Sequence, residues 1–384
     1  MASLVRRVGD FDLAEECVQE AVIEALDHWA RGGVPERPGA WLAAVAHRKA
    51  LDRIRRQARY REKLQQLEAN PLEPYAEPED RLRLMLICCH PALSRESQVA
   101  LTLRAVLGLT TEEIARALLS NEVAIAQRIA RAKRKIVEAG IQYRMPDDSE
   151  LVERLAHLLG VIYLLFNEGY LTTAGPEPAR RDLTDDAEWL AALLTRLLPT
   201  EPEPLGLLAL IRLHRARAVA RFDAAGDLVL FEDQDRALWD RRAIADAIKV
   251  IERAASFGRP GSYQLQAAIA AVYAEAPSWD KTDWRQALLL YEFLVRLDPS
   301  PVARLNRAIA LEPVAGATEA LGEVDELSAE LAQYHLFHAT RGRFLQQLGR
   351  LDEATHAYEE ALALTANPAE QALLKRRLRK KPSV

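Results

Sequence analysis

Apolar residues recur at helical spacing along almost the whole chain, and strand-type alternation is scarce. Leu13, Val18, Val22, Ala25, Leu26 and Trp29 predict a helix over residues 12–30. GGVPERPG (32–39) ends it, because two prolines and three glycines cannot continue a helix. A second helix is predicted over 40–67. Pro71, Pro74 and Pro78, with acids between them, make 68–79 a linker. Helices are predicted again at 79–89, 94–107, 110–119 and 122–139, and MPDDS (145–149) marks a boundary. From 150 to 222 helical stretches alternate with TTAGPEP (172–178) and PTEPEP (199–204). A short strand is expected at 228–231 and a helix at 239–255.

The last third repeats itself. Ala287, Ala320 and Ala354 recur at intervals near 34 residues, with Tyr291 and Tyr358 each four positions after an alanine and Gly349 five before the last. That period, with small and aromatic residues at fixed offsets, predicts tetratricopeptide-like (TPR-like) helix pairs, the middle one lacking its aromatic. A generic helical bundle is the alternative.

The segment LTTEEIARALLSNEVAIAQRIARAKRKI (109–136) carries the most chemistry. Thr110 and Glu113 form a capping box that starts a helix whose buried face is Ile114, Ala115 and Leu118. Ser120 and Asn121 make the turn, Asn being tolerant of the left-handed conformation. In the next helix Ile125, Ile129, Ala132 and Ile136 share one arc and belong to a core. The opposite arc holds Val123, Gln127, Ala130, Arg131 and Arg134. Alanines allow close approach to a major groove, while Gln pairs with adenine and Arg with guanine. Arg128, Lys133 and Lys135 flank this arc at phosphate-contacting positions. A solvated basic helix end is the alternative reading.

Two further helices are strongly polarised in charge. Residues 41–63 carry His47, Arg48, Lys49, Arg53, Arg55, Arg56, Arg59, Arg61 and Lys63 against only Asp52 and Glu62, the pattern of a phosphate-binding surface. Trp41 and Tyr60 are placed to stack on unpaired bases, or Trp41 to anchor the core. The helix at 12–27 instead presents Asp12, Glu15, Glu16, Gln19, Glu20, Glu24 and Asp27 opposite its apolar stripe, as a solvated face or a dock for a basic partner.

Composition sharpens this picture. The chain has 384 residues, 49% hydrophobic and 28% charged, long enough for two or three domains and ordinary for a globular protein. The net charge of −5 is uneven: residues 1–145 hold 23 Lys+Arg and 20 Asp+Glu, a net of +3, and the remainder is at −8. No apolar stretch is long enough for a membrane span and no secretory leader is visible. Three cysteines without CxxC spacing fit a reducing cytoplasm. No cofactor is expected. Cys88, Cys89 and His90 lack the further ligands of a zinc site. His157, His214, Glu168 and Asp233 lack any accompanying hydrolase or phosphate-loop motif, so no enzyme is expected.

A basic helix after a tryptophan, a proline-rich linker and then a helix-turn-helix resembles the bacterial RNA polymerase sigma factors, specifically the extracytoplasmic-function (ECF) group, which keeps only regions 2 and 4. DLAEECVQEAVIEALDHW resembles the region 2 segment that docks on the polymerase, PGAWLAAVAHRKALDRIRR the segment that melts and reads the −10 element, and the helix-turn-helix the reader of the −35 element. EDRLRLMLICCHPAL, FNEGYLT, FEDQDRALWDR and GSYQLQAAIAAVYAEAP are similar to the subgroup with a long fused C-terminal extension.

The resemblance implies an all-α protein and assigns roles by position. Asp12, Glu15, Glu16, Gln19 and Glu20 would bind polymerase. Trp41, His47, Arg48, Lys49, Arg53, Arg55 and Arg56 would serve the −10 side. Residues 31–39 would form the loop that captures a flipped base. Gln127, Arg128, Arg131, Lys133 and Arg134 would serve the −35 side. The expected order is region 2 (1–67), linker (68–79), region 4 (80–145), a helical extension domain (150–260) and TPR-like repeats (261–384). Only 11 residues precede Asp12, so the expectation is either that the start is misassigned or that region 2 lacks the further helix usual in the family. The implied partners are core RNA polymerase and promoter DNA, with a small protein or ligand on the extension. The competing expectation is a TPR-containing DNA-binding regulator that never docks on polymerase.

Overall fold

A computed structural model of the chain describes residues 1–56, 78–118, 120–171, 181–224 and 226–379. Tyr60 and most of the expected linker lie outside these, as do the side chains of Arg55 and Arg56. Among the described residues the regular structure is helical, and no helix is long and apolar enough to cross a membrane. The chain forms two compact units, Met1–Val161 and Ile162–Val384.

The first unit begins with a short helix, α1 (Ala2–Val8), where the sequence pattern suggested none. Gly9 ends it in the left-handed conformation, and Asp10 then caps α2 (Phe11–Gly32), accepting from the Asp12 and Leu13 amides at 2.9 and 3.1 Å. Leu4, Val5 and Val8 of α1 are buried with Ala14, Cys17 and Ala21 of α2 and with Val45, Ala46, Ala50 and Ile54 of α3 (Pro38–Arg56). Small residues at the α2–α3 contact let the two helix backbones approach closely.

The next four helices are α4 (Pro78–Cys88), α5 (Arg95–Thr102), α6 (Thr111–Ala117) and α7 (Glu122–Glu138). A π-helical turn, Leu103–Leu107, continues α5. The predicted capping box is present: the Thr110 hydroxyl accepts from the Glu113 amide at 3.1 Å, and the Glu113 carboxylate accepts from the Thr110 amide at 2.7 Å. Asn121 departs from expectation. Its backbone is extended, not left-handed, and its side-chain oxygen caps α7 by accepting from the Ala124 amide at 2.7 Å. Ile114, Ile125, Ile129, Ala132 and Ile136 are buried, as their spacing requires. The start of α8 (Asp148–Tyr170) completes the unit.

The second unit continues α8 and adds α9 (Arg181–Leu197), α10 (Pro202–Ala216), α11 (Arg241–Ala255) and α12 (Ser262–Glu275). Helix α10 is apolar nearly all round and is the centre of this group. A Cβ on Gly206 would lie 2.5 Å from the Gln264 amide nitrogen, so only glycine permits the α10–α12 approach. Across that contact Glu203 caps α12, accepting from the Tyr263 and Gln264 amides at 3.0 and 3.1 Å.

The strand expected at 228–231 does not form. One isolated antiparallel bridge pairs Phe222 with Leu228, and Phe231–Asp233 is a 3-10 turn. Phe231 instead stacks on Trp239, while the Arg236 guanidinium donates to the carbonyls of Tyr273 and Ala276 at 2.6 and 2.7 Å. Packing against the end of α12 therefore decides the conformation of this motif.

The remaining helices are α13 (Trp284–Leu297), α14 (Pro301–Ala315), α15 (Ala317–Asp325), α16 (His335–Gln347), α17 (Leu351–Leu364) and α18 (Pro368–Arg379), each packing on the next. The repeated alanines Ala287, Ala320 and Ala354 are all buried. Tyr358 packs over Gly342, where an added Cβ would meet its ring at 2.8 Å. The small-plus-aromatic periodicity thus records close helix approach.

Candidate functional site

The first unit brings the acidic and basic helices together. Along α2 and α3 the charges interleave. Glu16 pairs with Arg53, Glu20 with Arg53 at 2.5 Å and Lys49 at 3.6 Å, and Glu24 with Lys49 at 2.9 Å and Arg48 at 3.1 Å. The Lys49 hydrogen bond holds the Glu24 carboxyl below its usual range, and Lys49 is raised in return. Gln19 donates to Glu15 at 3.2 Å. Part of the basic surface of α3 is thus spent on the neighbouring acids.

The helix-turn-helix joins the same network. Lys133 of α7 lies 2.6 Å from Asp12 and 2.7 Å from Glu15, and Arg104 also pairs with Glu15. Burial pulls the Lys133 ammonium down, but the hydrogen bonds to Asp12 and Glu15 outweigh it, and its pKa is raised. Tyr143 ties the same two parts at a second point, donating to the carbonyls of Ala2 and Asp80 at 3.0 and 2.9 Å. A cleft of about 830 Å³ runs beside these contacts.

The other predicted residues are placed as follows. Gln127, Arg131 and Arg134 are exposed on α7, opposite its buried isoleucines, and Arg128 is half-buried beside them. This leaves the arc of Gln127, Arg131 and Arg134 open to solvent while Lys133 is engaged. Trp41 is half-buried against the core of α1, α2 and α3, stacked on His28 at 5.5 Å and tilted against Trp29. His47 does not reach the surface: it is only 7% exposed, and burial, with Arg7 nearby, lowers its pKa. In this arrangement it is a neutral core residue, not a phosphate contact. Arg48, Lys49 and Arg53 sit on the surface in the ion pairs above.

Sequence reasoning did not single out Arg104 or Tyr143, because their partners lie 89 and 141 residues away. Cys88 and Cys89 are buried, and burial pushes the Cys89 thiol up to about 12.

Comparison with known proteins matches this layout. Residues 1–60 match the sigma-70 region 2 family and residues 83–136 the sigma-70 region 4 family. The chain is an extracytoplasmic-function sigma factor with a C-terminal extension. Within the extension, residues 154–255 match a family of unknown function, DUF6596. An uncharacterized protein of Rhizobium meliloti (strain 1021) is 46% identical over 389 residues, covering 98% of this chain and 92% of the relative. A probable ECF RNA polymerase sigma factor, SigI, of Mycobacterium tuberculosis is 32% identical over 146 residues, 35% of this chain and 50% of that protein. The similarity to SigI therefore covers about a third of this sigma factor, whereas that to the Rhizobium relative covers nearly the whole chain.

Proposed function

We propose that this sigma factor directs core RNA polymerase to its promoters, reading the −35 element with Gln127, Arg131 and Arg134 and opening the −10 element with the basic helix α3. The supporting observation is the helix-turn-helix itself. Its core arc is buried, its first helix is capped by Thr110 and Glu113, and its opposite arc presents exposed Gln and Arg side chains to solvent. A sigma factor does no covalent chemistry. It stabilises the open promoter by binding melted DNA better than duplex.

Asp12, Glu15, Glu16, Gln19 and Glu20 form the polymerase-docking face, and the pairing of Lys133 and Arg104 with two of these acids is a resting state that must open for docking. The ladder between α2 and α3 likewise holds Arg48, Lys49 and Arg53 until DNA phosphates replace the carboxylates. The extension, helical and with TPR-like stacking in its second half, is the regulatory part. The protein acts in the cytoplasm, where its polymerase is.

Co-purification with core polymerase, followed by run-off transcription from the promoter upstream of its own gene cluster, tests this reading. Core binding with a defined start site supports it. Duplex DNA binding without core binding makes the protein a separate DNA-binding regulator instead.

A further inference from the structure

The extension contains a cavity of about 400 Å³, framed by the second half of α8 and by α10, α12, α13 and α14. That size lies within the range of small-molecule sites. Four tyrosines line it: Tyr163, Tyr263, Tyr273 and Tyr291. Tyr163 and Tyr263 meet edge to face at 5.6 Å, and Tyr273 and Tyr291 share a hydrogen bond. Burial pushes the Tyr291 phenol up to about 12, so it stays protonated and able to donate.

Polar side chains face the same space. The Gln266 and Asn306 amides line the cavity, and no protein group hydrogen-bonds to either side chain among the described residues. Asp298 adds a carboxylate whose Oδ1 accepts from the Ser300 amide at 3.2 Å. His214 is held well below its usual pKa by burial and by Arg217 and Arg221 alongside, so it is neutral. Arg217 lies 3.3 Å from His214 Nδ1, which leaves Nε2 to carry the proton as a further donor.

This chemistry selects among ligand classes. Among the described residues no lysine or arginine lines the cavity, so a phosphate or carboxylate has no counter-charge there and meets Asp298. An organic cation could pair with Asp298 and the tyrosine faces, but it leaves the amide, phenol and imidazole donors unmatched. A purely apolar ligand desolvates all of these groups without replacing their hydrogen bonds. Adjacent hydroxyls on a ring satisfy them, because each hydroxyl both donates and accepts, as each amide does. The apolar face of such a ring packs on the tyrosines.

We propose that the tyrosine-lined cavity of the extension is a binding site for a neutral polyhydroxylated ring of monosaccharide size. This rests on the reading of the extension as the regulatory part and names its ligand class.

The test is titration of the full chain, without polymerase, with D-glucose, D-galactose, N-acetylglucosamine and myo-inositol, read by saturation-transfer NMR and calorimetry. At least one binds in the millimolar range or tighter, and Asn306→Ala and Gln266→Ala each weaken it by about tenfold, near 1.4 kcal/mol. Unchanged thermal melting of each variant shows that the fold is intact. The proposal is overturned if none of the four binds, or if choline or glucose 6-phosphate binds and the neutral rings do not. It is also overturned if affinity survives both substitutions in chains that melt normally. Binding is read on the chain alone, so its failure leaves the polymerase result untouched, and a failed transcription assay leaves the binding result standing.

Discussion

Lys133 Nζ lies 2.6 Å from Asp12 Oδ1, joining the DNA-reading helix to the acidic helix that would face polymerase. The two residues are 121 apart in sequence. On the proposed reading each belongs to a surface with a different macromolecular partner, so the pair would have to open in an initiation complex that uses both. Lys133→Ala should free Asp12 and one side of Glu15. A pair of this kind is worth up to about 1 kcal/mol, so core polymerase should bind about fivefold more tightly. Fluorescence titration of labelled core at two salt concentrations checks this. The gain should shrink at high salt, where screening has already weakened the pair.

The exposed arc of α7 makes a separable prediction. Arg131→Ala and Gln127→Ala should each cost about 1–3 kcal/mol of −35 binding and relax the preferred base at one position. Lys135→Ala should weaken binding uniformly across sequences and lower the salt slope by about one. Competition binding on a library of −35 variants distinguishes the two behaviours. Unchanged promoter choice in both the Arg131 and Gln127 variants would remove them from the reading surface.

Close packing in the extension is tested at Gly342. An alanine there places its Cβ 2.8 Å from the Tyr358 ring. Overpacking of this kind costs about 1–3 kcal/mol. Thermal unfolding followed by circular dichroism should show earlier melting for Gly342→Ala. Because Gly342 and Tyr358 lie in the second compact unit, limited proteolysis should place the loosening within 162–384.

The buried thiols predict a pH dependence. Cys89 has its pKa raised from 9.0 to about 12 by burial, which disfavours the thiolate in the folded state. The folded protein therefore holds the proton more tightly than the unfolded chain. The stability this represents is complete below pH 9 and is lost as pH rises toward 12. Iodoacetamide near pH 8 should leave Cys88 and Cys89 unmodified in the native protein and alkylate both after denaturation, read by mass spectrometry.

Deleting 162–384, which leaves the first compact unit whole, separates two roles for the extension. If its net negative charge masks the basic faces, basal transcription should rise on deletion. Loss of activity instead makes the extension a required positive element. Run-off transcription with equal amounts of purified factor decides between them.

Much of this protein was legible in its sequence because the deciding interactions are local. The capping box at Thr110 and Glu113, the buried arc from Ile125 to Ile136, and the close-packed alanines of the last third all depend on neighbours within one or two helical turns or one repeat. Periodicity and caps specify these without knowledge of the rest of the chain. What only the tertiary structure decided are contacts between segments far apart. It sets Lys133 against Asp12 and Glu15, closes the charge ladder between α2 and α3, and buries His47 within a helix that reads as a basic surface. It also gathers four tyrosines from α8, α12 and α13 around one cavity, and turns an expected strand at Leu228 into a bridge and a 3-10 turn. A basic residue on a helix face has the same local pattern whether it awaits a phosphate or already holds a carboxylate. The difference is made by which distant side chain the fold brings within hydrogen-bonding distance.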